Sequence, residues 1–267
     1  MDHLYKYFRW LSLDIVLGAI FFLLYLEQYY TLEFSMHVYI ALGSAIWLIY
    51  TADHLIDAWK VSAPTSHRHR FHKKHFSALV LLGGFVLSFS LVNIRFLEVE
   101  IIRNGALLSA ACILYLMLVY FFKELWVKEI LVALAYAGGV FLAPLSMIEP
   151  ELMDFILCMQ LSGVAFLNLM VFSAYDESAD RRDGFNSLVI RLGGSKVQAV
   201  VWLTALSLAL SFGLAYFYTG NSIQILFVSM TVLLIWIHSS PGYFSRSERF
   251  RVVGDGIFYL AGLFLLL

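Results

Sequence analysis

The sequence predicts an all-α polytopic membrane protein, a single domain over residues 1–267 with about nine transmembrane helices. Two observations carry this. The chain is 61% hydrophobic and only 14% charged, with a mean hydropathy of +0.81, whereas soluble domains are nearer half apolar and a quarter charged. The apolar residues also fall in continuous blocks rather than on one helix face, and about 20 such residues cross a hydrocarbon core. A β-barrel would need apolar and polar residues to alternate, and Leu203–Leu210 does not alternate.

The blocks place spans at roughly 10–28, 34–52, 77–95, 104–122, 129–148, 152–172, 198–218, 222–238 and 252–267. The first follows Lys6 and Arg9, as a signal peptide would, but no small-residue cleavage site follows Phe21–Leu26, so it reads as a retained helix. Long polar segments follow the even-numbered spans, at 53–76, 173–197 and 239–251. With this count, all of the 18 Lys and Arg residues except Arg95 and Arg103 fall on one side. The positive-inside rule then puts the N-terminus and the long loops in the cytoplasm, as in a bacterial inner-membrane protein. The net charge of −1 and the lack of a basic tail give no reason to expect nucleic acid. Cys112 and Cys158 lie inside apolar blocks and read as buried small hydrophobes without a disulfide.

Two acidic pairs carry the chemistry. Asp53 and Asp57 end the second span, and Asp176 and Asp180 follow the sixth, with Asp183 nearby. Residues four apart share a helix face, where like charges repel. Two such pairs on one membrane face suit Mg²⁺, which takes carboxylate together with substrate phosphate oxygens. Acids this close to the membrane are expensive and usually functional. Lys123 at the tight turn after the fourth span, Arg181 beside the second pair, and Arg68 and Arg70 are candidates for binding a phosphate.

The run His67–His75 holds four histidines. The remaining ones, His3, His37, His54 and His238, are isolated and do not complete a set of metal-binding boxes, so the run reads as a solvated basic loop near anionic headgroups. Gly138, Gly139 and Pro144 mark either close helix packing or a kinked groove.

The stretch Tyr175–Gly193 resembles the second signature of the UbiA-type intramembrane prenyltransferases. Asp176, Asp180, Gly184, Ser187, Leu188 and Arg191-Leu192-Gly193 fall in register with it, and Asp53 and Asp57 match the acids of the first signature. The segment from Tyr120 to Lys123, with Glu129 beyond, resembles the loop between the family's fourth and fifth helices. The resemblance implies a UbiA-like bundle in which the four aspartates hold Mg²⁺ and the diphosphate of a polyprenyl donor. Tyr120, Lys123, Arg181 and Arg68 then assist the leaving group, and a lipophilic or aromatic acceptor takes the prenyl chain. Two positions depart from the pattern: Ile49 stands where the first signature has Asn, and Phe185 where the second has Lys. A terpene cyclase or a non-catalytic isoprenoid-binding relative is the alternative within that fold. A transporter is the alternative outside it, although its polar groups would sit at mid-membrane rather than at helix ends.

Overall fold

The computed structural model describes residues 3–61, 65–122, 127–184, 187–219 and 222–266. All regular structure among them is helical. In chain order the helices are α1 (His3–Trp10), α2 (Leu13–Tyr29), α3 (Met36–Lys60), α4 (His67–Lys74), α5 (Phe76–Asn93), α6 (Val99–Phe121), α7 (Lys128–Met147), α8 (Leu152–Asp183), α9 (Leu188–Leu192), α10 (Gly194–Thr219), α11 (Ser222–Ser239), α12 (Pro241–Phe244), α13 (Arg249–Gly256) and α14 (Leu260–Phe264).

Seven of these helices, α3, α5, α6, α7, α8, α10 and α11, are long and apolar enough to cross a membrane, and the protein is an integral multi-pass membrane protein. The expected first span is α2, 17 residues long. The expected last one is broken into α13, a 3₁₀ turn at Ile257–Tyr259, and α14.

The helices divide into centre and rim. Of the apolar stretch of α8, 56% is buried, whereas the stretch 76–96 containing α5 is only 11% buried. In a bilayer the second value is ordinary, because lipid tails are as apolar as leucine and nothing drives such a helix inward. The core runs along α8 through Leu161, Val164, Leu167 and Met170, packed by Phe141 of α7 and Phe227 of α11. Gly138 and Gly139 settle as close-packing positions: a β-carbon there would lie 3.6 Å from Leu108 and 3.7 Å from Leu42, so α7 nests against α6 and α3. α7 runs unbroken through Pro144. Cys112 and Cys158 are buried and free.

Helix lengths set the height of the polar groups. At about 1.5 Å per residue, the 32 residues of α8 extend about 48 Å, well beyond a hydrocarbon core of about 30 Å. The excess is the polar end carrying Asp176 and Asp180. α3 likewise continues past its apolar block through Asp53 and Asp57 to Lys60, so both acidic pairs lie on helix. α8 stops at Gly184, whose left-handed backbone (φ 75°) suits a residue without a β-carbon.

The basic run after α3 differs from the solvated loop expected from its composition. It folds as α4, started by Ser66, whose Oγ accepts from the His69 amide. Arg70, Lys73 and Lys74 face out, but His69 and His72 are buried. The helical period explains this, since residues 69 and 72 share a face that packs toward His54, with the His54 and His72 rings 5.1 Å apart. Burial and the nearby Arg68 charge push His69 down to about 3, and burial pushes His72 down to about 4. Both rings are neutral at pH 7. On the other side of α4, Phe71 meets Tyr7 and Trp10 of α1 at 5.7 and 5.4 Å between ring centres.

Candidate functional site

At one end of the bundle the ends of α3 and α8 and the starts of α2, α7 and α13 surround a cavity of about 460 Å³, with α4 and the α1–α2 junction over it. Because successive long helices run in opposite directions, these termini belong on the same face. Asp53, Asp57, Asp176 and Asp180 all line the cavity. The chain thus brings together two pairs that are far apart in sequence.

Each pair meets a cation. Lys128, the first residue of α7, lies 2.9 Å from Asp53 and 2.7 Å from Asp57. The Tyr115 hydroxyl donates to Asp53 at 2.9 Å. Arg251 of α13 donates to Asp176, and its guanidinium also lies over the rings of Phe172 and Phe250, at 5.4 and 5.2 Å. No hydrogen bond or ion pair reaches the Asp180 carboxylate among the described residues, although its backbone carbonyl accepts from the Gly184 amide.

The candidate phosphate ligands separate into three groups. Arg68 lines the cavity. Arg181 and Tyr120 do not. Arg181 is exposed and bonds Glu177 at 2.8 and 3.0 Å, one position round the helix from the Asp176–Asp180 face. Tyr120 is 45% exposed and stacks on Trp59. The face of α6 that meets the cavity is Tyr115, Val119 and Phe122, and Tyr120 falls about 100° away from Val119. Lys123 and Phe185 lie outside the described residues. Ile49 lines the cavity one turn before Asp53.

Residues outside the two signatures complete the walls. Asp14 of α2 and Asp255 of α13 add a third pair of acids, and a lone acid at the start of an apolar run is the signal that marks Asp14 in the sequence. Arg251 and Asp255 repeat the spacing of four seen in the other pairs. Glu129 is buried, accepting from the Leu188 amide at 3.2 Å and the Ser173 hydroxyl at 3.4 Å. It thereby ties the start of α7 to α8 and to the segment after Gly184. Thr65 donates its amide to Asp183 at 2.9 Å, so this nearby acid anchors the approach to α4. Deeper in, the lining turns apolar and aromatic, with Val132, Ala133, Leu169, Phe172 and Phe258, and the buried Tyr136 Oη and Asn168 Oδ1 find no hydrogen-bonding partner among the described residues.

The donor chemistry suits a hard cation. Among the described residues eight carboxylates (Asp14, Asp53, Asp57, Glu129, Asp176, Asp180, Glu248, Asp255) line the cavity against five Lys or Arg (Arg9, Lys60, Arg68, Lys128, Arg251). Among the described residues no three His, Cys, Asp or Glu side chains form a ready metal cluster. A divalent ion here would therefore need part of its shell from water or a bound phosphate, which is how Mg²⁺ is ordinarily held. Compared with known protein families, curated proteins and solved structures, the chain has no match.

Proposed function

We propose that the chain is a UbiA-type intramembrane prenyltransferase, which moves the prenyl group of an isoprenoid diphosphate onto an aromatic or other lipophilic acceptor with Mg²⁺. The observation that carries this reading is the convergence of Asp53, Asp57, Asp176 and Asp180 on one cavity with Arg68, Lys128 and Arg251. The resemblance of Tyr175–Gly193 to the family's second signature supports it independently.

In this reading the nine-span topology holds, with α2 as the first crossing and α13 to α14 as the last. The N-terminus and the cavity face the cytoplasm of a bacterial inner membrane. The charge partition between the two faces supports that orientation.

Asp176 and Asp180 would hold the metal, with Asp53 and Asp57 on the facing wall. Bound Mg²⁺ supplies Lewis-acid stabilisation of the charge that develops on the departing diphosphate. Arg68 and Arg251 present fixed positive charge to the same oxygens, an arrangement that favours the transition state over the ground state. The apolar inner wall around Ile49, Val132, Leu169 and Phe258 receives the first isoprene unit and keeps water from the allylic carbon. The rings of Tyr50 and Tyr136 line the cavity and would supply π-density for an allylic cation.

The test is incubation of the purified protein with radiolabelled prenyl diphosphates and candidate acceptors, with and without Mg²⁺. Metal-dependent consumption of a diphosphate is expected. Consumption that ignores the metal, or none with any donor, sinks the reading. Ile49 in the cavity wall, where the first signature has Asn, favours a second reading as a terpene cyclase. Cyclised product formed without any acceptor would distinguish it.

A further inference from the structure

The two acidic pairs are met by their cations in different ways. One ammonium, Lys128 Nζ, is within 3 Å of a carboxylate oxygen on both Asp53 and Asp57. It bridges the pair, in the position a metal ion shared by the two carboxylates would occupy. At the other pair Arg251 engages Asp176 alone, and no hydrogen bond or ion pair reaches the Asp180 carboxylate among the described residues. Their surroundings differ too. The Tyr115 hydroxyl fixes Asp53, and Ile49, the cavity-facing residue one turn earlier, brings no oxygen or nitrogen that could complete a metal's shell.

A lysine head is a compact point charge with three N–H donors. Two of them are accounted for by Asp53 and Asp57, which leaves the third for a ligand in the cavity. A divalent ion added between the same carboxylates would stand against this ammonium at a few ångströms, where like charges repel by several kcal/mol at an effective dielectric of about 20.

We propose that Lys128 takes the place of one divalent cation, so that the protein's own ammonium serves the Asp53–Asp57 pair and a diphosphate is bound with a single metal ion at Asp176 and Asp180. Asp53 and Asp57 then act as positioning residues that hold Lys128 toward the diphosphate. This rests on the prenyltransferase reading, because it takes a diphosphate as the ligand.

The test counts metal rather than turnover. The full chain, in detergent or lipid nanodiscs, is loaded with Mn²⁺ and inorganic diphosphate, and bound Mn²⁺ is measured by equilibrium dialysis and electron paramagnetic resonance. One Mn²⁺ per chain is expected, with the spectrum of an isolated ion. Lys128→Met, which keeps the length and loses the charge, is expected to bind two ions that couple magnetically, and Lys128→Arg one. Two coupled ions in the unaltered protein overturn the proposal but leave the prenyltransferase reading standing. One ion in both the unaltered protein and Lys128→Met also overturns it, because loss of the ammonium then opens no second position. No bound Mn²⁺ and no bound diphosphate in the unaltered protein removes the prenyltransferase reading itself. If Lys128→Met does not fold, the count on the unaltered protein decides alone.

Discussion

The two ends of the bundle treat their acidic residues in opposite ways. At the end away from the cavity, Asp154 accepts from the Tyr30 hydroxyl and the Glu151 amide, both at 2.8 Å. Glu27 accepts from the Tyr39 hydroxyl and the Phe34 amide, and Asn93 pairs with His37 at 2.7 Å. The partners of these two acids are hydroxyls and backbone amides rather than charged groups, and they cap helices and tie segments together, Tyr30 to Asp154 across 124 residues. At the cavity end the acids outnumber the cations among the described residues, their partners include the charged heads of Lys128 and Arg251, and the Asp180 carboxylate stands open. A set of polar groups that satisfies itself contributes stability and has nothing left to offer a ligand. A set with surplus charge gives up stability and keeps the capacity to bind.

That contrast is broken or sharpened by substitutions at each end. Asp180→Ala and Asp176→Ala should each lower turnover by about 100-fold or more, the usual loss when one charge-stabilising group is removed. Near-normal rates in both would erase the functional half of the comparison. Asp154→Ala should act on stability alone, lowering it by about 1–2 kcal/mol through the lost cap and hydrogen bond. A drop in turnover per folded molecule, measured beside thermal unfolding, would show that the two ends are not separate. Arg181→Ala should be the quietest, within about 0.5 kcal/mol and about twofold in rate, because its partner Glu177 is on an exposed face.

Acidification offers a graded test on α4. His69 and His72 have folded values pushed down to about 3 and about 4 from an ordinary 6.5. Between those limits the unfolded or undocked state holds more protons, so stability rises with pH through the window and is complete above about 6.5. On lowering the pH to 5, α4 should loosen by up to about 2 kcal/mol per histidine, at about 1.4 kcal/mol per pH unit. Faster hydrogen exchange of the α4 amides at pH 5 than at pH 7, after correction for intrinsic rates, is the expected outcome. His72→Phe should remove part of that dependence.

The helical class was legible because a bilayer imposes one requirement on every crossing, a long run of apolar residues. Asp53, Asp57, Asp176 and Asp180 were legible because a spacing of four is a local property of a helix. Lys128 and Arg251 were not, as their partners lie 71 and 75 residues away and nothing local marks them among the other basic residues of that face. Arg181 and Tyr120 misled for the opposite reason. They neighbour the right residues along the chain, yet one step in sequence turns a helix by about 100° and carries the side chain off the cavity face. α4 is a related case: the composition of residues 67–75 describes its outer face and is silent about the two histidines turned inward.

The overhang of α8 has a consequence for any amphiphile that visits the cavity. Its carboxylates project past the depth of the lipid tails on the same helix whose lower turns stay among them. A molecule with a charged head and a long hydrocarbon chain can reach Asp176 and Asp180 while its chain stays where it dissolves best. Removal of that chain into water would cost about 0.8 kcal/mol for each methylene, and the protein never has to perform that extraction.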